Sequence, residues 1–376
     1  MQQLKGLGRI YINACLALAF YLSINTSAIA DASISSETIY AAVISKNEIQ
    51  KIGGHLDGIT QPTPEPPNLF GSSDGYSGII KSVRQLYHIN HFNKQLKSYD
   101  SGIVVNRIDE YKDESTAKSA LNENIRSLQG RLNNPITDTN GEVYGDETIY
   151  VKGTFGSQSY TANAAFFRVG RLISYIRINT QDALSINEAQ LYPIGKYVAP
   201  VAIRMNKALS GGLRPILLPK RVASLLPPNS SYNDFGDLVG AVPITPETWA
   251  SVEEAGTEAE TIKLLTSGGS TKIGYFSIQA RSNPSILIDG VIFPMSSTKS
   301  ADKFYAYTTN GIDSNLAPLP ADITSIFTND SGYYQLNFKK GKFVAYLDCL
   351  STSKELDAFC ESSLRNISSE WFNKLK

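Results

Sequence analysis

A ten-residue pattern occurs twice in this chain. Residues 167–176 read FRVGRLISYI and residues 338–347 read FKKGKFVAYL. Each has Phe, a cation, any residue, Gly, a cation, two apolar residues, a small residue, Tyr, then Ile or Leu. Gly170 and Gly341 each divide two strand-like apolar runs. That is the grammar of a β-hairpin whose turn glycine takes a positive φ. The shared hairpin residues are Phe167, Gly170 and Tyr175 in the first copy, and Phe338, Gly341 and Tyr346 in the second.

The flanks repeat too. Apolar strands Gly102–Ile108 (GIVVNRI) and Ser285–Phe293 (SILIDGVIF) precede the two hairpins. After the first strand, Ala117, Ala120, Leu121, Ile125, Leu128 and Leu132 recur at helical spacing. After the second, Ser297–Tyr307 (STKSADKFYAY) resembles Ser115–Leu121 (STAKSAL). A closing helix follows each hairpin. In the second copy Leu356, Phe359, Cys360, Ser363, Leu364, Ile367, Trp371 and Leu375 form one apolar stripe. In the first copy the region is Asn187–Leu209, where Pro193 and Pro200 weigh against helix at the start and middle. The offset between copies is 183 at the first strand (Ile103 to Ile286) and 171 at the hairpin (Phe167 to Phe338). The extra residues of the first copy are expected in loops around Asn133–Gly145 and Gly153–Ser159.

Strand, helix, antiparallel strands and helix, written twice, predict an α+β fold. The architecture expected is two tandem repeats of an antiparallel sheet packed with helices. Gly211, Gly212 and Pro215 punctuate the chain between the copies. The predicted domains are therefore 31–212 and 213–376, a division that 376 residues accommodate. A single larger α+β domain without repetition is the competing reading. The Pro-rich stretch Gln61–Asn68 and Pro227-Pro228-Asn229 read as loops or extended segments. Strand alternation puts Leu172, Ser174, Ile176 and Ile178 on one face, matched by Phe343, Ala345, Leu347 and Cys349. This is the face expected to meet the helices. Ile173, Tyr175 and Arg177, matched by Val344, Tyr346 and Asp348, form a mixed face expected to meet solvent or a partner.

The N-terminus bears on compartment. Lys5 and Arg9 precede an apolar run from Ile10 to about Leu22, and Ala28-Ile29-Ala30 makes a small-x-small site. Residues 1–30 read as a secretory signal peptide cleaved after Ala30. Asn13, Ser23 and Asn25 interrupt the run, which falls short of a membrane span. Cys15 lies inside the run rather than after it, against a lipidated cysteine. No later stretch has 18 consecutive apolar residues, so no transmembrane segment is expected in the mature chain. Secretion or export to a periplasm leaves two cysteines, Cys349 and Cys360, close enough in sequence to expect a disulfide in an oxidising compartment. It would join the last strand to the last helix.

Charge and motifs remove several functions. Lys plus Arg is 35 and Asp plus Glu is 35, so the clustered cationic footprint of a nucleic-acid binder is missing. Gly71-Ser72-Ser73-Asp74-Gly75 matches G-x-S-x-G, but Pro-rich sequence precedes it and the last histidine, His91, is 18 residues on. A nucleophile elbow follows a buried strand and needs a distant His, so a polar turn is the better reading. His88 and His91 would share one face of a helix and suit a transition metal. No carboxylate stands at ligand spacing, and His55 is the sole other histidine. Partly exposed helix histidines are expected instead. Asp138-Thr139-Asn140-Gly141 begins like a calcium loop, yet Gly falls at the fourth position where the loop wants it sixth, so a turn is expected. No phosphate-cradling glycine motif occurs. Asn229, Asn329 and Asn366 open N-glycosylation sequons, of use only in a eukaryote. Twenty tyrosines suit carbohydrate or protein recognition and also suit half-buried strands.

Gly145-Asp146-Glu147, followed by FFRVGRLISYIRI and a helix, resembles small secreted bacterial domains with a PsbP-like α/β/α sandwich. These include extracellular sensor domains of some actinobacterial kinases and related lipoproteins. Arg171 stands where that group often has Asn, and the second copy has Pro320-Ala321-Asp322 in place of Gly-Asp-Glu. The resemblance covers roughly 100–209 and 285–375. It implies the fold and a non-catalytic extracytoplasmic role, and it carries no site residues over. The function expected is that of a secreted or periplasmic binding or accessory protein. The partner would be a protein, a small molecule or a carbohydrate, with no nucleic acid and no cofactor. No catalytic or metal-ligating residue is assigned. The alternatives are an extracytoplasmic hydrolase with an unread site and a structural subunit of an envelope complex.

Overall fold

The computed structural model describes residues 33–45, 47–49, 63–65, 78–93, 98–155, 160–180, 194–250, 257–282, 286–310, 326–328, 333–350 and 354–375. The expected signal peptide, His55, Gly71–Gly75, Asn329 and Pro320–Asp322 lie outside the described residues. Residues 36–376 form one compact unit.

The first half runs α1 (Ser36–Ala42), β1 (Thr63–Glu65), β2 (Ile79–Asn93), β3 (Ser98–Tyr111), α2 (Glu114–Gln129), β4 (Leu132–Asp138), β5 (Glu147–Phe155), β6 (Tyr160–Val169), β7 (Leu172–Thr180) and α3 (Ile194–Leu209). The second runs α4 (Lys220–Ala223), a 3-10 turn at Asn229–Ser231, β8 (Gly236–Ile244), α5 (Pro246–Ala250), α6 (Glu258–Ser267), β9 (Ile273–Ala280), β10 (Leu287–Pro294), α7 (Thr298–Thr308), β11 (Ile326–Thr328), β12 (Tyr333–Lys340), β13 (Phe343–Leu350) and α8 (Lys354–Lys374). The fold is α+β with two antiparallel sheets packed with helices. Their orders are β1-β2-β3-β7-β6-β5-β4 and β11-β12-β13-β10-β9-β8. Reversing the second gives β8-β9-β10-β13-β12-β11, strand for strand the order of the first, with β4 left over.

The registers fix which residues correspond. Leu172 closes the first hairpin opposite Val169, and Phe343 closes the second opposite Lys340. The offset there is 171, as the sequence gives it. On the next strand, Glu110 lies opposite Leu172 and Pro294 opposite Phe343. The offset at the first strand is therefore 184, not 183. The difference matters, since a one-residue slip would exchange the two faces of the strand. The helices follow the corrected offset. Asp113 caps α2, its side chain accepting from the Thr116 amide at 2.7 Å, and Ser297 caps α7, accepting from Ser300 at 3.1 Å. Both satisfy an amide that the first helical turn leaves unpaired. Ala117 thus corresponds to Ala301 and Ala120 to Phe304, all four buried. The apparent match of STAKSAL to STKSAD is shifted from this alignment.

Two other expectations change. Asn133–Gly145 is not a loop throughout, since residues 132–138 form edge strand β4. Pro200 lies inside α3, which runs unbroken from Ile194 to Leu209. Asn187–Pro193 lies outside the described residues.

Both faces of each sheet are covered. Helix α3 packs on β6 and β7, and α2 packs from the other side on β3, β6 and β7. In the second sheet α8 packs on β12 and β13, and α7 on the opposite face. The face expected to meet solvent or a partner, with Ile173, Tyr175 and Arg177, is covered by α2. Its core joins Ile173 and Phe166 to Ala117, Leu121, Ile125 and Leu128. The opposite face of the second sheet meets Trp371 of α8, whose ring stands edge-on to Phe276 and Phe338 at 5.3 Å each. The stripe from Cys360 through Leu364, Ile367 and Trp371 to Leu375 is buried as its period requires.

Candidate functional site

The hairpin residues serve the fold. Gly170 and Gly341 have φ of +55° and +54°, the left-handed region that glycine enters without penalty. Phe167 and Phe338 are fully buried. Asp146 of the Gly-Asp-Glu turn ties the first hairpin shut. Its amide donates to the Arg168 carbonyl at 2.8 Å, and its carboxylate accepts from the Gly170 amide at 2.7 Å and pairs with Arg168 at 3.1 Å. Gly145 is required beside it, since φ is +74° and a Cβ would lie 2.4 Å from the Arg168 carbonyl oxygen. Cys349 and Cys360 form a disulfide, with Cα atoms 5.6 Å apart, fastening β13 to α8.

His88 and His91 lie in β2, a strand, so the one-face geometry of a helical pair is absent. Among the described residues no group of three or more His, Cys, Asp or Glu is placed to hold a metal. Asp138 accepts from the Asn140 amide at 2.8 Å, forming a turn. Asn366 donates from its amide to the Ser231 carbonyl at 2.7 Å, and Asn229 accepts from the Tyr232 hydroxyl at 2.6 Å.

The chemistry gathers instead on the mixed face of the first sheet, beneath α2. A cavity of about 180 Å³ is lined by Arg84, Val105, Arg107, Asp109, Asn124, Leu128, Arg131, Phe166, Tyr175 and Arg177. Four arginines meet one carboxylate. Arg84 on β2 lies directly opposite Arg107 on β3, and Arg107 lies opposite Tyr175 on β7. Arg177 comes from one side-chain step further along β7, opposite Val105. Like charges directly opposed on neighbouring strands oppose the fold. Asp109 answers part of this, receiving the Arg107 Nε at 2.7 Å in a pair whose side chains are 8% and 4% exposed. The Arg177 guanidinium lies over the rings of Phe155 and Tyr175, 5.2 and 5.6 Å from their centroids. Such stacking holds the planar fork in place. Phe166 stacks on Tyr175 at 4.7 Å, and with Val105 and Leu128 it supplies the buried apolar part of the lining. Asn124 is 5% exposed, and its Oδ1 is without a hydrogen-bond partner among the described residues.

In sequence, Tyr175 and Arg177 stand out as a mixed face, Leu128 as part of the helical stripe, and Val105 and Arg107 only as members of an apolar strand. Arg84 and Arg107 sit in separate strands with no motif. Their meeting depends on the register of β2 against β3, which the sequence does not state.

The corresponding face of the second sheet differs in kind. At the positions of Arg107 and Asp109 it has Val291 and Phe293, and at those of Val105 and Arg177 it has Asp289 and Asp348. Phe293 packs on Phe304 and Trp249, at 4.9 and 5.0 Å between centroids. Asp289 and Asp348 lie directly opposite one another. Burial pushes the Asp289 carboxyl up to about 6. A second cavity, about 300 Å³, is lined by Leu226, Pro227, Pro228, Tyr232 and Lys374 among others. Lys374 Nζ donates to the Leu226 carbonyl there at 2.6 Å.

No protein-family model matches the chain, and no curated protein matches it. Among solved structures, the extracellular domain of PknH from Mycobacterium tuberculosis is similar over 47% of this chain and 99% of that domain. The identity is 12% and the TM-score 0.33.

Proposed function

We propose that this protein is an extracytoplasmic, non-enzymatic binding module whose first sheet takes a small anion. The observation that carries the reading is the cavity under α2, where four arginines face one aspartate. Arginine presents planar donors that match an oxyanion, and a half-enclosed site strengthens the attraction by lowering the local dielectric. The disulfide and the N-terminal leader pattern support an oxidising compartment. We further propose two domains of one PsbP-like sandwich type, 31–212 and 213–376. The shared strand order of the two sheets, built from residues 63–180 and 236–350, supports that division. Among the described residues no helix is long and apolar enough to cross a membrane.

Thermal unfolding of the full chain at fixed ionic strength tests the binding reading. Anions are varied against chloride. The expected result is a Tm that rises with one or more anions in wild type and not in Arg177→Gln. Equal melting in every anion refutes it.

A further inference from the structure

We infer that the ligand is an organic oxyanion, an acid group on an apolar body that also carries a hydroxyl or N–H donor, and not a bare inorganic ion. This rests on the binding reading above. Three observations carry it. The first is size. About 180 Å³ of space far exceeds the roughly 10–15 Å³ that one water-sized group needs, so an inorganic ion would leave most of the cavity to solvent. The second is the lining. Val105, Leu128 and Phe166 are buried and apolar, and line the same cavity as Arg84 and Arg177. A ligand that meets both kinds of lining carries a charged group and an apolar body. The third is Asn124. Its Oδ1 is a buried acceptor with no donor among the described residues, and it lines the cavity. A buried acceptor left unmatched is costly, and sulfate has no proton to offer it, while hydrogen phosphate has one but no apolar body to meet the rest of the lining. A ligand hydroxyl or amide on an apolar body supplies both. The structure thus assigns Asn124 as the residue that reads the donor, and the arginines as the residues that hold the charge.

The test uses the full chain, titrated calorimetrically at fixed ionic strength with inorganic phosphate, sulfate, benzoate and the three positional isomers of hydroxybenzoate. The expected order is benzoate above phosphate and sulfate, with one hydroxybenzoate isomer about tenfold tighter than benzoate, the scale of one hydrogen bond to a buried group. Asn124→Leu should erase that tenfold gain, so that no hydroxybenzoate isomer binds tighter than benzoate. Asn124→Ser, which keeps an acceptor at smaller volume, guards against a folding defect and should keep part of the gain. Phosphate or sulfate binding as tightly as benzoate overturns the inference. So does a hydroxyl preference that survives Asn124→Leu, or the lack of any such preference. In each of those cases the binding reading stands. Failure of every anion to bind overturns the binding reading itself.

Discussion

Replacing Asp289 with Asn changes the response of this protein to pH in a direction set by where the carboxyl sits. Asp289 lies on β10 between Ser277 on β9 and Asp348 on β13, directly opposite both. Ser277 donates its hydroxyl to Asp289 Oδ1, and the Tyr275 hydroxyl also bonds it. Those bonds favour the ionised form, but burial outweighs them and moves the carboxyl from 3.8 to about 6. Between pH 4 and 6 the native state therefore holds a proton that the unfolded chain has released. Stability falls as pH rises through that window, and above it the folded protein carries a poorly solvated charge. A shift of two pH units sets a ceiling of roughly 3 kcal/mol. Asp289 is half-buried rather than sealed, so screening by water lowers the expected cost to about 1–2 kcal/mol. Asn keeps the shape of the protonated acid and never ionises. In urea unfolding, Asp289→Asn should be more stable than wild type by about 1–2 kcal/mol at pH 7.5 and by about a third of that at pH 4.5. Only the difference between the two proteins is read, so other titrations cancel. A difference that does not vary with pH, or is larger at pH 4.5, refutes the reasoning.

The disulfide closes a separation of 11 residues, for which chain entropy gives about 3 kcal/mol. The double variant Cys349→Ser, Cys360→Ser should lose about that much in urea unfolding, and reductant should destabilise wild type while leaving the variant unmoved. The two hairpin glycines should separate on substitution. Gly341→Ala meets nothing within 4 Å and should cost about 1 kcal/mol from its positive φ alone. Gly170→Ala takes the same strain and also sets its methyl 3.0 Å from Leu209 on α3, so its melting temperature should fall further. Equal losses at the two sites would show that the α3 contact yields freely.

How much of this was legible in sequence follows from what each signal depends on. Helix α8 was readable because Cys360, Ser363, Leu364, Ile367 and Trp371 satisfy one period over about three turns, with no partner needed to define the stripe. The hairpins were readable because a glycine between apolar runs is a local signal. Strand β4 was not, because Asn133, Asn134 and Pro135 read as loop and all but Leu132 of its residues are exposed, so it shows no alternation. The H-x-x-H spacing points His88 and His91 to a helix, whereas β2 is held in strand by pairing with β3 along its length. The cavity was least readable of all. Its lining comes from β2, β3, α2, β6 and β7 and depends on three registers at once.

The comparison of the two sheets indicates where function has room to change. On the faces that meet α3 and α8, corresponding positions stay apolar or small: Leu172 and Phe343, Ile176 and Leu347, Ile178 and Cys349. On the faces that meet α2 and α7, the same backbone carries Arg107 against Val291, Asp109 against Phe293, and Arg177 against Asp348. A face packed by a helix tolerates such change only if something else balances it. In the second sheet Trp249 and Phe304 close around Phe293 and fill the space. In the first, Phe166 and Tyr175 stack at one part of the face, and a cavity lined by four arginines remains under α2. Filling it with apolar side chains should therefore raise stability. Arg107→Val with Asp109→Phe, which copies the second sheet, should stabilise the chain by about 1–4 kcal/mol, the range found when a buried ion pair gives way to apolar packing. The same double variant should bind none of the anions above. Loss of stability, or retained binding, would mean that the arginines are held for the fold rather than for a ligand.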